Sequence, residues 1–315
     1  MKWGINGLGH IANEFAEGMK DVDTIYGVSS RDYEKGLAFQ EKYGVSKVFK
    51  DFEEMIEDPE IEVVYIATVN SVHYENIMSC LKKGKHVLCE KAIWGDHREL
   101  VDAYEYAQQH NLVLAEAMTI YHMPLFHKIK ALINEGKFGK LKYVNANLGS
   151  LKEDDPNNRF FNKELGGGAM LDIGTYVLSF LRFFLEGELS EVKYVVGKYQ
   201  TGVDEMWSIA TKTKQQVLGN ANITFRAKLP KIAIIAGEKA YVTINNYVRA
   251  DKATIVYPDG TTEEIEGGKT KDALKYEILD MEQSIRDRSN DRTYIKETLD
   301  VVRIMDDLLT KEDLK

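Results

Sequence analysis

Residues 2–12 read KWGINGLGHIA. Lys2–Asn6 is a short apolar run that stops at Gly7, and from Gly9 onward Ile11, Phe15 and Met19 recur every four positions, a helical period. Between them Gly7-Leu8-Gly9-His10-Ile11-Ala12 has the form G-x-G-x-x-A, directly after a strand and opening a helix. That is the context the dinucleotide fingerprint requires. Gly7 permits the tight turn, Gly9 lets the backbone approach a pyrophosphate, and Ala12 is small enough for close helix–strand packing. The helix N-terminus offers its N–H groups to the phosphates. Two glycines also suit an ordinary strand–helix turn, and the pattern downstream of Ala12 decides between the two. Strands are expected at Thr24–Ser29, Val63–Thr68, His86–Cys89 and Leu112–Ala115, with helices from Asp32 to Tyr43, Asp51 to Glu57, Tyr74 to Lys83 and Asp96 to His110. Strand–helix alternation of this kind predicts an α/β fold, a Rossmann-type parallel sheet with helices on both faces.

The pattern then changes. In Gln216–Arg226, Val217, Gly219, Ala221, Ile223 and Phe225 alternate with Asn220, Asn222, Thr224 and Arg226, the period of two of a strand with one wetter face. Similar segments lie near Lys140–Ser150, Val192–Tyr199, Met206–Thr213, Lys231–Ala236, Tyr241–Asn245 and Ala253–Tyr257. Asp259-Gly260 signals a hairpin into Thr261–Ile265. Residues 1–119 are therefore expected to form a nucleotide-binding domain. Residues 120–315 are expected to form a second α/β domain on an open, mostly antiparallel sheet, with the closing helices Ala273–Arg288 and Thr293–Leu309 able to pack back on the first domain.

The 315 residues carry a formal net charge of −9, which argues against nucleic-acid or anionic-membrane partners. A hydrophobic share of 44% supplies a core, and no apolar run is long enough to span a membrane. No export signal is expected at the N-terminus. Two cysteines, Cys80 and Cys89, suit a reducing cytoplasm rather than a disulfide scaffold. No metal cluster is expected: His86 and Cys89 fall on opposite strand faces, and His122 and His127 do not share a helix face well.

The second strand ends in Ser29-Ser30-Arg31, about 20 residues beyond the glycine turn, where an acid would select NAD and an arginine suits the 2′-phosphate of NADP. NADP is thus the expected cofactor, with NAD as the alternative if Asp32, otherwise a helix cap, turns inward. The alternative for Arg31 is a solvated loop charge. Glu90-Lys91 follows the strand HVLC, and a parallel sheet gathers its ligands at the C-terminal strand ends, so Lys91 is either a crevice residue or a surface lysine. In Gly166-Gly167-Gly168-Ala169-Met170-Leu171-Asp172-Ile173-Gly174-Thr175-Tyr176 the glycines allow a close approach of backbone to a ligand. Asp172 and Tyr176 share a helix face there. Alternatively, Asp172 serves only the helix N-terminus and Tyr176 only the core.

Across nearly its whole length the chain resembles the glucose–fructose oxidoreductase / inositol dehydrogenase / rhizopine-catabolism (Gfo/Idh/MocA) family. The resemblance is carried by GLGHIA, ATVNSVHYE (Ala67–Glu75), CEKA (Cys89–Ala92), EAM (Glu116–Met118), GKFGKL (Gly136–Leu141) and GGGAMLDIGTY. RFFNKELGGGAMLDIGTY (Arg159–Tyr176) is most similar to the dimeric dihydrodiol dehydrogenase and glucose–fructose oxidoreductase branch; inositol dehydrogenase-like members usually carry His at the position of Tyr176. The resemblance implies hydride transfer at a secondary alcohol or ketone, Lys91 in the Glu-Lys-Pro active-site motif, and Asp172 and Tyr176 lining the substrate pocket. Ala92 stands in place of the motif's proline. A non-prolyl cis peptide costs ~3 kcal/mol, so a trans bond with Lys91 slightly displaced is the expectation there.

Oxidising a secondary alcohol requires a base for the hydroxyl proton. A free tyrosine, with a pKa near 10, is too weak at neutral pH, and a nearby ammonium favours its phenolate. Lys91, Tyr176 and Asp172 are the candidate catalytic set. Gly7, Leu8, Gly9, His10, Ile11, Ser30, Arg31, Ala67, Thr68, Asn70, His73, Glu90 and Lys91 are candidates to hold the cofactor, and Arg159 is a weaker substrate or cofactor candidate. His73 could equally be a solvated or helix-capping histidine. The expected function is an NAD(P)-dependent dehydrogenase or reductase acting on a small-molecule sugar, polyol or diol, working as a homodimer or higher homo-oligomer. The competing reading is an NAD(P)-sensing, non-catalytic regulator on the same fold; a bilin-type reductase fits the polar pair Asp172 and Tyr176 less well.

Overall fold

The structure, a computed structural model, describes residues 1–93 and 96–314. In chain order the elements are β1 (Lys2–Asn6), α1 (His10–Met19), β2 (Thr24–Ser29), α2 (Tyr33–Tyr43), β3 (Lys47–Phe49), α3 (Phe52–Glu57), β4 (Val63–Ile66), α4 (His73–Lys82), β5 (His86–Glu90), α5 (His97–Gln109) and β6 (Leu114–Ala117). There follow α6 (Pro124–Asn134), β7 (Leu141–Gly149), α7 (Thr175–Phe184), β8 (Leu189–Lys198), β9 (Asp204–Thr213), β10 (Leu218–Thr224), β11 (Ile232–Gly237), β12 (Tyr241–Asn245), β13 (Lys252–Val256), β14 (Thr262–Glu266), α8 (Ala273–Asp287) and α9 (Ile295–Lys311).

Two units emerge. The first holds Met1–Met118 together with Asp272–Leu299; the second holds Thr119–Lys271 and the chain from Asp300 onward. Residues 272–299 therefore leave the domain that the sequence bounded at 120–315. The reason is the apolar stripe of α8: Ile278 and Met281 join the core of Trp3, Phe15, Tyr65 and Leu88, and Trp3 Nε1 donates to Glu282 Oε1 (3.1 Å).

The first unit is a parallel six-stranded sheet in the order β3-β2-β1-β4-β5-β6. This is the doubly wound arrangement whose strand order reverses between β1 and β4, where such folds bind ligands. Phe15 of α1 stacks on Tyr65 of β4, with ring centroids 3.7 Å apart. Full burial of such a side chain contributes roughly 1.5–3 kcal/mol. The sequence pattern passes over β3, three residues long, and starts the last strand two residues early. β6 in fact runs through Glu116 and Ala117.

The second unit is an eight-stranded sheet in the order β14-β13-β12-β11-β7-β10-β9-β8. Its neighbours are antiparallel except β7 and β10, which run parallel. The alternation in β10 thus reports one wet face and says nothing of strand direction. One face buries Val144, Ala146, Ala221, Ile223, Ile235 and Val242. Helices α6 and α7 pack on each other through Phe126, Phe180 and Phe184. On the other face Asn145, Asn147, Asn220 and Asn222 bond to one another across β7 and β10. Tyr199, the expected end of this strand segment, lies past the end of β8 and stacks on Phe161.

Candidate active site

In the first unit the glycine turn is built as its sequence requires. Gly7 has φ of +93° and its N–H donates to Ser29 O (3.0 Å). A Cβ there would lie 2.7 Å from the carbonyl oxygen of Ala67, so a side chain at Gly7 would force apart the loops that follow β1 and β4. Gly9 is the N-cap of α1, and a Cβ on it would meet nothing within 4 Å. The turn therefore leaves open space over a helix N-terminus, which fits a dinucleotide pyrophosphate. Leu8 and Ile11 are half-buried beside it, while His10 is exposed and faces Glu14 (3.0 Å). Ala67, Thr68 and Asn70 lie partly exposed just beyond β4.

At the end of β2, Arg31 is exposed and Ser30 half-buried, with Ser30 Oγ accepting from Asp32 N (3.3 Å). Asp32 Oδ1 accepts from Lys35 N, which makes it the cap of α2. Ser29 is buried and donates to Asn6 Oδ1 (3.2 Å), so its hydroxyl is spent inside the fold.

Beyond β5, the Lys91–Ala92 peptide is cis, against the expectation of a trans bond. The loop is held from both sides. The imidazole of His73 lies 3.1 Å and 3.2 Å from the carbonyl oxygens of Ala92 and Ile93 through Nδ1, and 3.2 Å from that of Thr68 through Nε2. His73 is fully buried, and burial lowers its pKa below the ordinary histidine range. It ties together the two loops that follow β4 and β5, and is neither solvated nor a surface residue. The carboxylate of Glu90 also turns inward, accepting from the Tyr65 hydroxyl and from Lys91 N (3.2 Å). Lys91 itself remains half-exposed.

Glu116, part of the EAM stretch, has no role assigned to it from sequence. Its signal was a carboxylate in the apolar strand LAEA. It is 1% exposed, with Oε1 accepting from Ile93 N (3.0 Å) and Oε2 from Thr298 Oγ1 (3.1 Å). Burial pushes its pKa up to about 7, against these two hydrogen bonds.

In the second unit the glycine run serves the fold. Gly167 N donates to Asn162 O (2.9 Å) and Gly168 N to Phe160 O (3.0 Å). Gly168 has φ of +129°, and a Cβ there would sit 2.3 Å from Asp204 Oδ1. Asp204 is buried; its Oδ2 accepts from Met170 N (2.6 Å) and Trp207 Nε1 (2.7 Å), fixing the start of the helix. The close approach that Gly168 permits is to Asp204, another residue the sequence did not single out.

A π turn, Met170–Gly174, runs into α7. From Met170 to Leu181, Leu171, Asp172 and Tyr176 are half-exposed while the other side chains are buried. Asp172 Oδ2 stands 4.0 Å from Lys152 Nζ, and that ammonium lies 3.7 Å over the ring of Phe160. Arg159 is exposed, its guanidinium 4.5 Å from the same ring. Tyr247 is buried close to Tyr176, and burial holds its phenol well above the usual range, hence protonated. Among the described residues no group of three or more His, Cys, Asp or Glu is placed to hold a metal.

Residues 1–118 match the oxidoreductase family with NAD-binding Rossmann fold, and residues 126–243 the GFO/IDH/MocA C-terminal domain. The trans-1,2-dihydrobenzene-1,2-diol dehydrogenase of Xenopus laevis is 31% identical over 260 residues, covering 81% of this chain and 78% of that protein. The human enzyme of the same name is 29% identical over 251 residues, 78% and 75% of the two chains. Among solved structures, a 3-ketoreductase from Actinomadura kijaniata in complex with NADP and TDP-benzene superposes with a TM-score of 0.86 at 20% identity, covering 97% and 96% of the chains. Levoglucosan dehydrogenase in complex with NADH and levoglucosan gives 0.87 at 22% identity, covering 99% and 96%. With both of its halves matched and a relative above 30% identity along most of its length, the chain belongs to the Gfo/Idh/MocA family of NAD(P)-binding oxidoreductases.

Proposed function

We propose that this enzyme moves hydride between NADP, preferred over NAD, and a secondary alcohol or ketone of a cyclic diol, sugar or polyol. The observation that carries the reading is Lys91, half-exposed at the C-terminal end of β5 on a loop anchored by buried groups. A non-catalytic sensor has no need of a fixed lysine there. Gly7, Leu8, Gly9 and Ile11 would hold the pyrophosphate, and Ala67, Thr68 and Asn70 would flank the nicotinamide, which when bound gives or takes the hydride. Lys91 donates a hydrogen bond to the reacting oxygen as negative charge develops on it. Tyr176 gives that oxygen its proton in reduction and removes it in oxidation, the ammonium favouring the phenolate it passes through. Asp172, with Lys152 4.0 Å away, accepts from a neighbouring substrate hydroxyl. The relatives' action on a dihydrodiol and on levoglucosan supports such a substrate class. The test is a panel of cyclic diols, sugars and polyols followed by nicotinamide absorbance; binding of NADP with no turnover of any of them would favour the sensor.

The preference for NADP rests on Arg31, with Ser30 beside it and Asp32 committed to capping α2. A charge-assisted contact with the 2′-phosphate contributes roughly 1.5–3 kcal/mol, about ten- to a hundredfold in affinity. Arg31→Ala should weaken NADP by that factor and leave NAD unchanged, as measured by titration calorimetry. Equal affinities in the wild type, or no loss in the variant, would remove Arg31 from this role.

The open face of the second unit's sheet supports a homo-oligomer. Val195 is 74% exposed there, with Leu218, Tyr143 and Tyr241 also exposed around the asparagine ladder. Leu218, Tyr143, Ala236 and Tyr241 are cross-strand neighbours in one row, which gives an apolar stripe beside fixed polar groups. Light scattering at micromolar concentration should give at least twice the 35.9 kDa chain mass; a monomer mass would reject the interface. The two buried, free cysteines are consistent with a cytoplasmic enzyme.

A further inference from the structure

Behind Lys91 lies a buried group of charges that hydride transfer itself does not use. We propose that Glu116 is the positioning residue for Lys91, clamping the loop that carries it and setting a negative charge within electrostatic reach of its ammonium. This rests on the reading of Lys91 as a catalytic residue and adds to it a partner.

Glu116 sits opposite Cys89 in the β5–β6 register, two residues before Lys91. One carboxylate oxygen receives Ile93 N–H, two residues after Lys91, so the same side chain brackets the lysine from both sides. The other receives the hydroxyl of Thr298 from α9, which fixes the rotamer. The charged and titratable groups around this carboxylate come from four elements. Glu90 and Cys89 belong to β5, and Glu90 raises the Glu116 pKa while Lys91 lowers it. Tyr65 of β4 donates to Glu90, and Glu277 of α8 acts on Tyr65. His73 of α4 touches the carbonyls of the same loop. Lys91 is the cation among them.

Glu116 titrates near pH 7, so its proton and the Lys91 charge are linked. Above that pH the carboxylate is charged, the ammonium is held and Ile93 N–H is bound to an anion. Below it the clamp is neutral and Glu116 contributes no negative charge toward Lys91. Glutamine at this position preserves the shape: its amide oxygen accepts from Ile93 N–H and its amide N–H faces the Thr298 hydroxyl. Only the charge is removed.

The test is an infrared titration of the buried carboxylic-acid carbonyl band in the whole enzyme. Wild type should show a band lost with a midpoint near pH 7 and absent from Glu116→Gln. In Lys91→Ala the midpoint should rise by about one unit, because a favourable cation is gone. Thr298→Val should also raise it, which serves as the assignment if Glu116→Gln does not fold. A midpoint that stays in place in Lys91→Ala would overturn the link. With a substrate of the diol panel and NADP, Glu116→Gln should match wild type at pH 5.5 and fall about tenfold in kcat at pH 8.5, with little change in KM. An identical pH profile for the two enzymes would overturn the role in catalysis. Lys91→Ala that retains full activity would instead sink the reading of Lys91 and leave the infrared result standing.

Discussion

Replacing Lys91 by alanine or Tyr176 by phenylalanine should lower kcat by ~10²-fold or more, with NADP affinity changed little. The two side chains come from different units of the chain, one at the end of a parallel strand and one at the entrance to α7. The proposed function gives both of them the same reacting oxygen. Groups that act on one oxygen fail together, so the double variant should be far less impaired than the product of the two single losses. Steady-state kinetics on the best substrate of the panel measures this. Strict multiplicativity of the two effects would separate their roles, and full activity of Tyr176→Phe would take the tyrosine out of the proton transfer.

Gly168→Ala should cost about 2–5 kcal/mol of stability, combining a left-handed backbone conformation with an overpacked contact. The new methyl would fall 2.3 Å from Asp204 Oδ1, and that carboxylate cannot retreat without releasing Met170 N–H and Trp207 Nε1–H. Because the same segment carries Asp172 and Tyr176, activity should drop with stability. Urea unfolding of wild type and variant gives the difference; an unchanged midpoint would mean that Asp204 does not fix this turn. Gly9→Ala offers the contrast, since a methyl there meets nothing within 4 Å. It should spare stability and weaken cofactor binding.

The two units differ in how much of them the sequence discloses. In the first, local rules suffice. Asp32, Asp51 and Asp96 cap helices at the positions their spacing implies, Gly44 closes α2, and the glycine turn stands where the strand–helix pattern places it. What stays hidden are side chains whose roles depend on neighbours distant in the chain. His73 looks like a surface histidine until Ala92 and Ile93 close over it, and Glu116 looks like part of a strand until Ile93 and Thr298 meet its two oxygens. The partner of Gly168 is hidden for the same reason. A sequence shows that backbone is exposed to a close approach, but not whether the approaching group is a ligand or Asp204. In the second unit, period-two alternation marks the strands without giving their order, so the parallel pairing of β7 with β10 becomes visible only in the sheet. The placement of α8 with the first unit follows from Ile278 and Met281 finding the core of Trp3 and Phe15, a choice that helical periodicity alone cannot make. Lys91, Asp172 and Tyr176, which the sequence singles out, each lie half-exposed at an element end or turn, among residues that are otherwise buried.

The central claim is direct hydride transfer, and isotope transfer tests it most directly. Reduced NADP carrying deuterium at both positions of C4 of the nicotinamide is incubated with the enzyme and the ketone form of the best panel substrate, and the product is examined by mass spectrometry and NMR. The account predicts one deuterium on the new carbinol carbon in the wild type, and almost none in Lys91→Ala or Tyr176→Phe over the same time. Product formed without the label at that carbon, or label transferred equally well by both variants, would contradict it.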